Sequence, residues 1–364
     1  SSMVLVTLVG AASIYAGKKD YLASATPHDY SVAGNKVDLT STKKLMDDFL
    51  IKTGEQANEE VAVSYLLFGI KNQETNKLTV FTKNERKVVP KSIVLVFSQE
   101  TFKQLTGKEL NLSSNQIALY TKNKTLKTQK SLSIDGKNYQ IHRQLGDFIN
   151  KKIPNIYKII VSDYSYLVVP DIKIFESSMK GTSIAQATYV GVNVKDPTHD
   201  AKKNSDLLDQ MTDKATQQLA GQTTGVSQSY LTANSRYDAE GMVNGFVGGT
   251  FFIGIFLSII FMLGTVLVIY YKQISEGYED RERFVILQKI GLDDLQVKQT
   301  IRKQVLTVFF LPLIFAFIHL AFAYHMISLI VRIIGVLNPD LMLVVTIIVC
   351  GVFFLAYVLV FALT

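Results

Sequence analysis

The sequence predicts an α-helical membrane protein: a bundle of four transmembrane spans, with a large α+β extracellular domain between spans 1 and 2. Three observations carry this. Uncharged runs of 31, 28 and 24 residues occupy 241–271, 304–331 and 341–364, each longer than the roughly 20 residues that cross about 30 Å of hydrocarbon. A polar, mixed region fills 18–240. Basic residues crowd one loop: 272–303 holds Lys272, Arg281, Arg283, Lys289, Lys298, Arg302 and Lys303, whereas 332–340 holds only Arg332. Because cytoplasmic loops carry the excess of Lys and Arg, 272–303 is expected inside the cell, and 332–340 and 18–240 outside. The bulk composition agrees. Of 364 residues, 48% are hydrophobic and 19% charged, with mean hydropathy +0.20, whereas a soluble chain is charged at nearer a quarter.

Residues 1–17 form a short apolar segment closed by Lys18-Lys19-Asp20. With no basic stretch before it, the segment reads as the outer end of a transmembrane helix rather than a signal-peptide core. The chain opens Ser1-Ser2-Met3-Val4 and stops at Thr364 inside an apolar run, so it is expected to be part of a longer polypeptide. Within 18–240, runs rich in Val, Ile, Tyr and Leu predict strands at Glu60–Ile70, Lys91–Phe97, Gln116–Thr121, Tyr157–Val169 and Ala187–Val194. Ser131–Ile141 reads as a hairpin turning at Asp135-Gly136. Helical patterns cover Ser41–Lys52, Ser98–Thr106 (Ser98 as N-cap) and Lys202–Leu219. Gln217–Asn234, rich in Gln, Thr, Ser and Gly, is expected to link the domain to the membrane. Gly241, Gly245 and Gly249 then recur every four residues; on a helix they line one face and let a neighbouring helix approach closely. The runs 304–331 and 341–364 supply the last two spans, and Pro312 is expected to kink the first of them.

The net charge of +7 sits almost wholly in the polar domain, mostly as Lys. Such a surface could attract anionic lipid headgroups, pyrophosphate lipids or teichoic acids. Diluted among acids and without Arg clusters, it reads first as a solvated surface, and no nucleic-acid partner is expected. The single cysteine, Cys350, lies inside the last apolar run, which excludes an intrachain disulfide. His319 sits near the middle of 304–331 and His325 nearer its outer end. No Asp, Glu, Lys or Arg accompanies them in any run, so a hydrogen-bonded packing role is expected instead of a proton relay. The sequence holds no phosphate-binding Gly-x-x-x-x-Gly-Lys-Ser/Thr loop, no His-Glu-x-x-His, no paired-cysteine metal spacing and no Gly-x-Ser-x-Gly elbow. The chain is therefore expected to bind no metal or cofactor itself and not to be an enzyme.

The informative stretch runs from Tyr271 to Leu292. Glu279–Arg283 is a dense block of alternating charge, followed by Phe284, Ile286, Leu287 and Ile290, with Gly291 as a stop. This pattern makes a short helix with a charged face and an apolar edge. Asp293-Asp294 then suits the N-terminal dipole of a new helix from Leu295 to Gln304. Glu279-x-x-x-Arg283-Phe284-x-Ile286-Leu287-x-x-Ile290-Gly291 resembles the cytoplasmic motif of the FtsX-like ABC transporter permeases. Tyr270-Tyr-Lys-Gln-Ile-Ser-Glu-Gly-Tyr-Glu-Asp-Arg-Glu-Arg-Phe284, behind its Gly-rich entry, looks most like the Firmicute bacitracin-type branch, which confers antimicrobial-peptide resistance. Arg283 and Val285 depart from the pattern, where many members carry Glu and Gly.

The resemblance implies a permease subunit that pairs through this coupling helix with a separate ATPase, a dimer of which binds ATP and magnesium. Glu279, Arg281 and Arg283 would pair with the ATPase rim, Phe284, Leu287 and Ile290 would fill its groove, and Gly291 would end the helix. It further implies that the extracellular domain moves with the ATPase cycle, in export of or resistance to antimicrobial peptides or their lipid-linked cell-wall precursors. The alternative is a signalling or scaffold permease, whose outside domain reports a ligand to a histidine kinase or activates a cell-wall hydrolase. The coarse layout expected is thus a helix at 1–17, the domain at 18–240, spans at 241–271, 304–331 and 341–364, a cytoplasmic loop at 272–303 and an outer loop at 332–340.

Overall fold

The computed structural model describes residues 2–85, 90, 92–154, 163–220, 229–289, 293–333 and 338–363, with some side chains, mainly between 269 and 309, outside that description. It divides into a sheet unit, Leu22–Met242, and a helical unit formed by Ser1–Tyr21 and Val243–Thr364. Along the chain the elements run α1 (Ser2–Ala25), β1 (Tyr30–Asn35), α2 (Leu39–Thr53), β2 (Ala57–Glu74), β3 (Lys77–Val80), β4 (Ser92–Ser98), α3 (Gln99–Thr106), β5 (Gln116–Thr121), α4 (Lys124–Lys127), β6 (Ser131–Ile134), β7 (Lys137–Gln144) and β8 (Asp163–Val169). There follow α5 (Ile172–Ser178), β9 (Ile184–Val194), α6 (Ala201–Ala220), β10 (Tyr230–Ser235), α7 (Arg236–Lys289), α8 (Asp294–Ile333) and α9 (Pro339–Leu363).

The strands join in the order β10-β1-β9-β2-β3-β6-β7-β5-β8-β4, and β4 also pairs with β2. The path from β2 through β3 and β8 to β4 therefore closes on itself, with β10 at the open end. The length of β2 makes this possible. Ala57–Phe68 pairs with β9, Leu66–Ile70 with β4, and Ile70–Glu74 with β3. On β4, Val94 and Val96 enter one core with Phe68, Ile117, Leu119 and Leu167. Ile93, Leu95 and Phe97 enter a second core with Tyr65, Ile149, Tyr164 and Tyr166. An unbroken apolar run is what a strand buried on both faces requires. A third core seats α2 and α6 on the β1–β9 layer through Leu45, Met46, Phe49 and Leu208.

Local chemistry fixes the turns. In the β6–β7 hairpin Asp135 and Gly136 both have positive φ, 47° and 83°, as a two-residue turn matched to strand twist needs. Ser98 caps α3 by accepting the Thr101 N–H at 3.0 Å. Asp38 caps α2 from Ser41 at 2.8 Å, and Gly54 ends that helix at φ 71°. The expected linker Gln217–Asn234 is only partly a linker. Helix α6 extends to Ala220, 221–228 lie outside the described residues, and β10 pairs along β1 from Tyr230↔Asn35 to Ser235↔Tyr30. An end strand needs only one buried face, so the polar Tyr230-Leu-Thr-Ala-Asn run hides its strand character. Of the expected strand Tyr157–Val169, β8 covers 163–169; residues 157–162, like Lys91, lie outside the described residues.

Where the sheet unit's two end segments meet, they are locked together. Arg236 Nη1 donates to Asp29 Oδ1 at 2.8 Å, its Nε donates to the Thr26 carbonyl at 3.3 Å, and its second amino group donates to the Pro27 carbonyl. Backbone bonds reinforce this, with the Arg236 N–H on the Asp29 carbonyl at 2.9 Å. The other carboxylate oxygen of Asp29 accepts the Val194 N–H at 3.0 Å, and the Asp29 N–H donates to Asn193 Oδ1 at 3.1 Å. The Asp29 side chain is only 9% exposed, so each donor offsets desolvation that would otherwise be costly. Beside it His28 Nδ1 and the Tyr189 hydroxyl share a buried hydrogen bond of 2.8 Å. A Cβ at residue 191 would lie 2.5 Å from His28 Nδ1 and 2.6 Å from the Tyr189 oxygen, so only Gly191 admits this contact.

In the helical unit three helices among the described residues are long and apolar enough to cross a membrane, at Arg236–Val268, Phe310–Arg332 and Pro339–Leu359. The segment expected as a fourth span is helical, but its apolar part ends at Lys18-Lys19-Asp20 within α1, and it is not among them. Val4, Leu5, Val9 and Ile14 of α1 nevertheless pack with Val247, Leu313, Leu320 and Phe353. Tyr15 stacks on Phe251 with ring centroids 4.9 Å apart, and Lys18 donates to Asn244 at 2.7 Å. The glycine face expected from Gly241, Gly245 and Gly249 does not seat this contact: a Cβ at any of them meets nothing within 4 Å among the described residues. Gly254 does so instead, its would-be Cβ lying 2.6 Å from Ala11 Cβ. The repeat marks the turns before the helix crossing, and close approach occurs where a small residue on α1 faces a single glycine. Helix α8 runs on through Pro312.

Three outcomes are expected. Arg236→Ala should cost the sheet unit roughly 2–4 kcal/mol, because it strands a buried carboxylate, and hydrogen exchange of the Val194 amide should accelerate accordingly; an unchanged rate would refute the lock. Burial, the largest cause, holds the His28 pKa below its usual 6.5, with Arg236 adding to the fall and Glu59 and Asp29 opposing it. The folded unit then binds fewer protons there than the unfolded chain, so this contribution is present above the unfolded value and is lost as pH falls below it. Thermal stability, followed by tyrosine fluorescence, should therefore fall as the pH drops below the unfolded value of 6.5, and less steeply in His28→Gln. Finally, Gly254→Val should destabilise the helical unit by about 1–3 kcal/mol through overpacking, while Gly245→Ala leaves its melting temperature in detergent unchanged.

Candidate functional site

The motif segment emerges as the end of a long helix. Residues 279–289 continue α7 without a described break from Arg236 to Lys289, 54 residues in all, or about 80 Å at 1.5 Å per residue. This corrects the expected separate short helix within a loop at 272–303. The cause is visible in the sequence: 269–289 holds no Pro, a single Gly277 and many strong helix formers, and Glu279 stands four residues before Arg283, a spacing that supports a helix. Helix α8 starts at Asp294, directly after the exposed Asp293.

Arg281 is exposed, as are its neighbours Tyr278 (73%), Val285 (44%) and Ile286 (57%). The side chains of Glu279, Arg283, Phe284 and Leu287, and the whole of Ile290 and Gly291, lie outside the described residues. By helix register, positions 279, 283, 286 and 287 share one stripe, so a charged turn is followed along one side by apolar positions. An amphipathic helix end of this kind can lie in a groove of a partner, its apolar positions as anchors and its charges at the rim.

Elsewhere in the helical unit His319 Nδ1 lies 3.1 Å from Ser2 Oγ in a hydrogen bond, the packing role expected of it. Among the described residues no group of three His, Cys, Asp or Glu side chains is placed to hold a metal ion. Two open clefts lie among the described residues of the sheet unit. One of about 720 Å³ lies along the start of α6, between Asp200, Lys203, Gln210 and Tyr237. The other, about 330 Å³, lies between α3 and the segment after β7, with Lys108, Arg143, Glu109 and Phe148 on its walls. Glu109 is engaged by Lys103 at 2.5 Å, a hydrogen bond that holds its carboxyl below the usual range. Neither cleft gathers a catalytic set.

The Asp29–Arg236 lock was not singled out from the sequence, although a signal exists. An Arg at the start of a helix opposes the dipole there, so Arg236, immediately before the longest uncharged stretch, asks for an anionic partner. Asp238, two residues on, satisfies the dipole and accepts a hydrogen bond from Ser205.

No protein-family model matches the chain. Three permeases of Bacillus subtilis (strain 168) are similar to parts of it. The ABC transporter permease protein YxdM is 36% identical over 72 residues, 20% of this chain and 12% of the relative. The bacitracin export permease protein BceB is 29% identical over 140 residues, 38% of this chain and 19% of the relative. The ABC transporter permease YvcS is 30% identical over 92 residues, 25% and 13%. The chain thus matches less than a fifth of the length of each of these relatives. Among solved structures, a Bacillus anthracis chain described as a lipoprotein overlaps 48% of this chain and 92% of its own, at 13% identity and a TM-score of 0.26; a score that low carries no argument about the fold. Three apolar helices that follow a β-rich domain in the chain, together with these relatives, show a multi-pass protein of the plasma membrane with an extracellular domain, similar over part of its length to ABC transporter permeases, a bacitracin export permease among them.

Proposed function

We propose that this chain couples ATP hydrolysis on a separate ATPase subunit to motion of its extracellular sheet unit, in export of or resistance to antimicrobial peptides. The observation that carries the reading is the unbroken helix α7. Its first residue, Arg236, is locked to Asp29 within the sheet unit, and its last turns carry the Glu279–Leu287 motif. A helix whose backbone hydrogen bonds run without interruption transmits an axial push better than a jointed loop. Positions 279–291 then serve as the docking end for the ATPase, which holds ATP and magnesium. The similarity to a bacitracin export permease supports the choice of peptides as the class handled.

Helix α1 acts in this reading as the fourth span. Its buried stripe Val4, Leu5, Val9 and Ile14 packs on the other helices, and Lys18-Lys19 marks its polar end.

The double variant Phe284→Asp, Leu287→Asp tests the coupling end. It should weaken co-purification with the ATPase at least about tenfold, as loss of central apolar anchors does, while membrane insertion and the fold of the sheet unit remain intact. A double variant that still co-purifies with the ATPase and still confers resistance would refute the assignment.

A further inference from the structure

The positive charge of the extracellular unit is concentrated in one place. Residues 111–146 carry Lys122, Lys124, Lys127, Lys130, Lys137 and Arg143 against one acid, Asp135, whereas the rest of 1–245 holds 24 basic and 23 acidic residues. All six basic side chains are exposed. The fold brings them together. Strand β5 runs parallel to β7, with Gln116↔Gln140 and Leu119↔Gln144, and β6 pairs with β7 from Ser131↔Gln140 to Ile134↔Lys137. Helix α4 connects β5 to β6, its Leu126 buried in the core while Lys124 and Lys127 stand outside. The Ile141 N–H donates to the Lys130 carbonyl at 2.9 Å, which fixes Lys130 beside β7. The β5–β7 register slips between Ile117 and Ala118, and His142, Arg143 and Gln144 are all exposed in succession.

We infer that this face binds a linear extracellular polyanion whose charge is carried by repeated phosphate groups. The charges are spread over α4, its flanking turns and β7, so one small anion cannot neutralise them, whereas a flexible chain of phosphates can. Five of the six are Lys, compact point charges suited to phosphates whose orientation varies, in contrast to the planar fork of Arg. The face carries no apolar anchor, since none of the exposed large apolar side chains falls in 111–146. Stable attachment to a bilayer needs buried apolar area or a lipid chain beside the basic patch, so a water-borne polymer fits better than lipid headgroups. This inference is independent of the ATPase coupling.

The test uses the full chain in detergent micelles, inorganic polyphosphate as probe, and phosphatidylglycerol vesicles as the competing surface. Binding of polyphosphate should weaken steeply with salt. Lys124→Gln, Lys127→Gln, Lys130→Gln and Lys137→Gln combined should lower affinity at least about tenfold and reduce the slope of log K against log salt by roughly 3. The four Lys→Arg changes at the same positions should restore binding, which separates lost charge from lost fold. Neutralising four exposed lysines elsewhere, Lys44, Lys52, Lys202 and Lys214, should change affinity less than twofold. No polyphosphate binding by the parent chain, equal losses in the two neutralised variants, or binding of the vesicles through these lysines without binding of polyphosphate would each overturn the inference.

Discussion

A carboxylate buried in a sheet unit is costly unless donors surround it, and the donors that meet the Asp29 carboxylate come from two distant parts of the chain. Arg236 opens α7, Val194 ends β9, and Asp29 itself precedes β1. One charge pair therefore decides how the segment after α1 and the segment before α7 are held within the sheet unit. The β1–β10 ladder extends the same junction: Tyr30 faces Ser235, and the pairing continues to Asn35 and Tyr230. The stability of that corner rests on complementary polar groups, whereas the closed part of the sheet rests on apolar packing from both faces of β4.

The helical unit follows a different rule. Hydrocarbon offers no partner to a backbone amide, so its spans are helices throughout, and specificity between helices comes from shape. Gly254 against Ala11 is the closest such fit, and the Tyr15–Phe251 stack and the Lys18–Asn244 hydrogen bond lie nearby on the same pair of helices. The large apolar side chains along α7, α8 and α9 that point outward are suited to lipid or to further helices. Beyond its apolar part α7 simply continues, because the sequence after Tyr271 favours helix and contains nothing to stop it before the glycine at 291.

Much of this was legible from the residues, and the misses have physical causes. Strands with strong apolar runs and the Asp135-Gly136 turn announced themselves, since a two-faced strand and a two-residue turn admit few other residues. β10 did not, because an end strand tolerates polar alternation, and β1 did not, because its short run mixes Ser31 and Asn35 with Gly34, where a Cβ would lie 2.4 Å from the Thr188 hydroxyl. Charge bias along the loops and the length of the uncharged runs identified the membrane class. The Glu279–Gly291 pattern carried the resemblance but not its local geometry: an amphipathic pattern of thirteen residues reads alike whether it is a separate rod or the tail of a longer helix. For the Gly241–Gly249 repeat, spacing shows which residues share a face and not whether anything faces them; among the described residues nothing lies within 4 Å of a Cβ there. The Asp29–Arg236 lock joins residues 207 apart, and no local pattern reports such a partnership.

The central proposal is that the end of α7 is where an ATPase engages this chain. A photo-crosslinking residue placed at the exposed Ile286 position, in membranes that contain the cognate ATPase, tests it most directly. The account predicts a crosslink to the ATPase whose yield changes with nucleotide. Crosslinks to lipid alone, or an ATPase captured only from other positions of the chain, would contradict it.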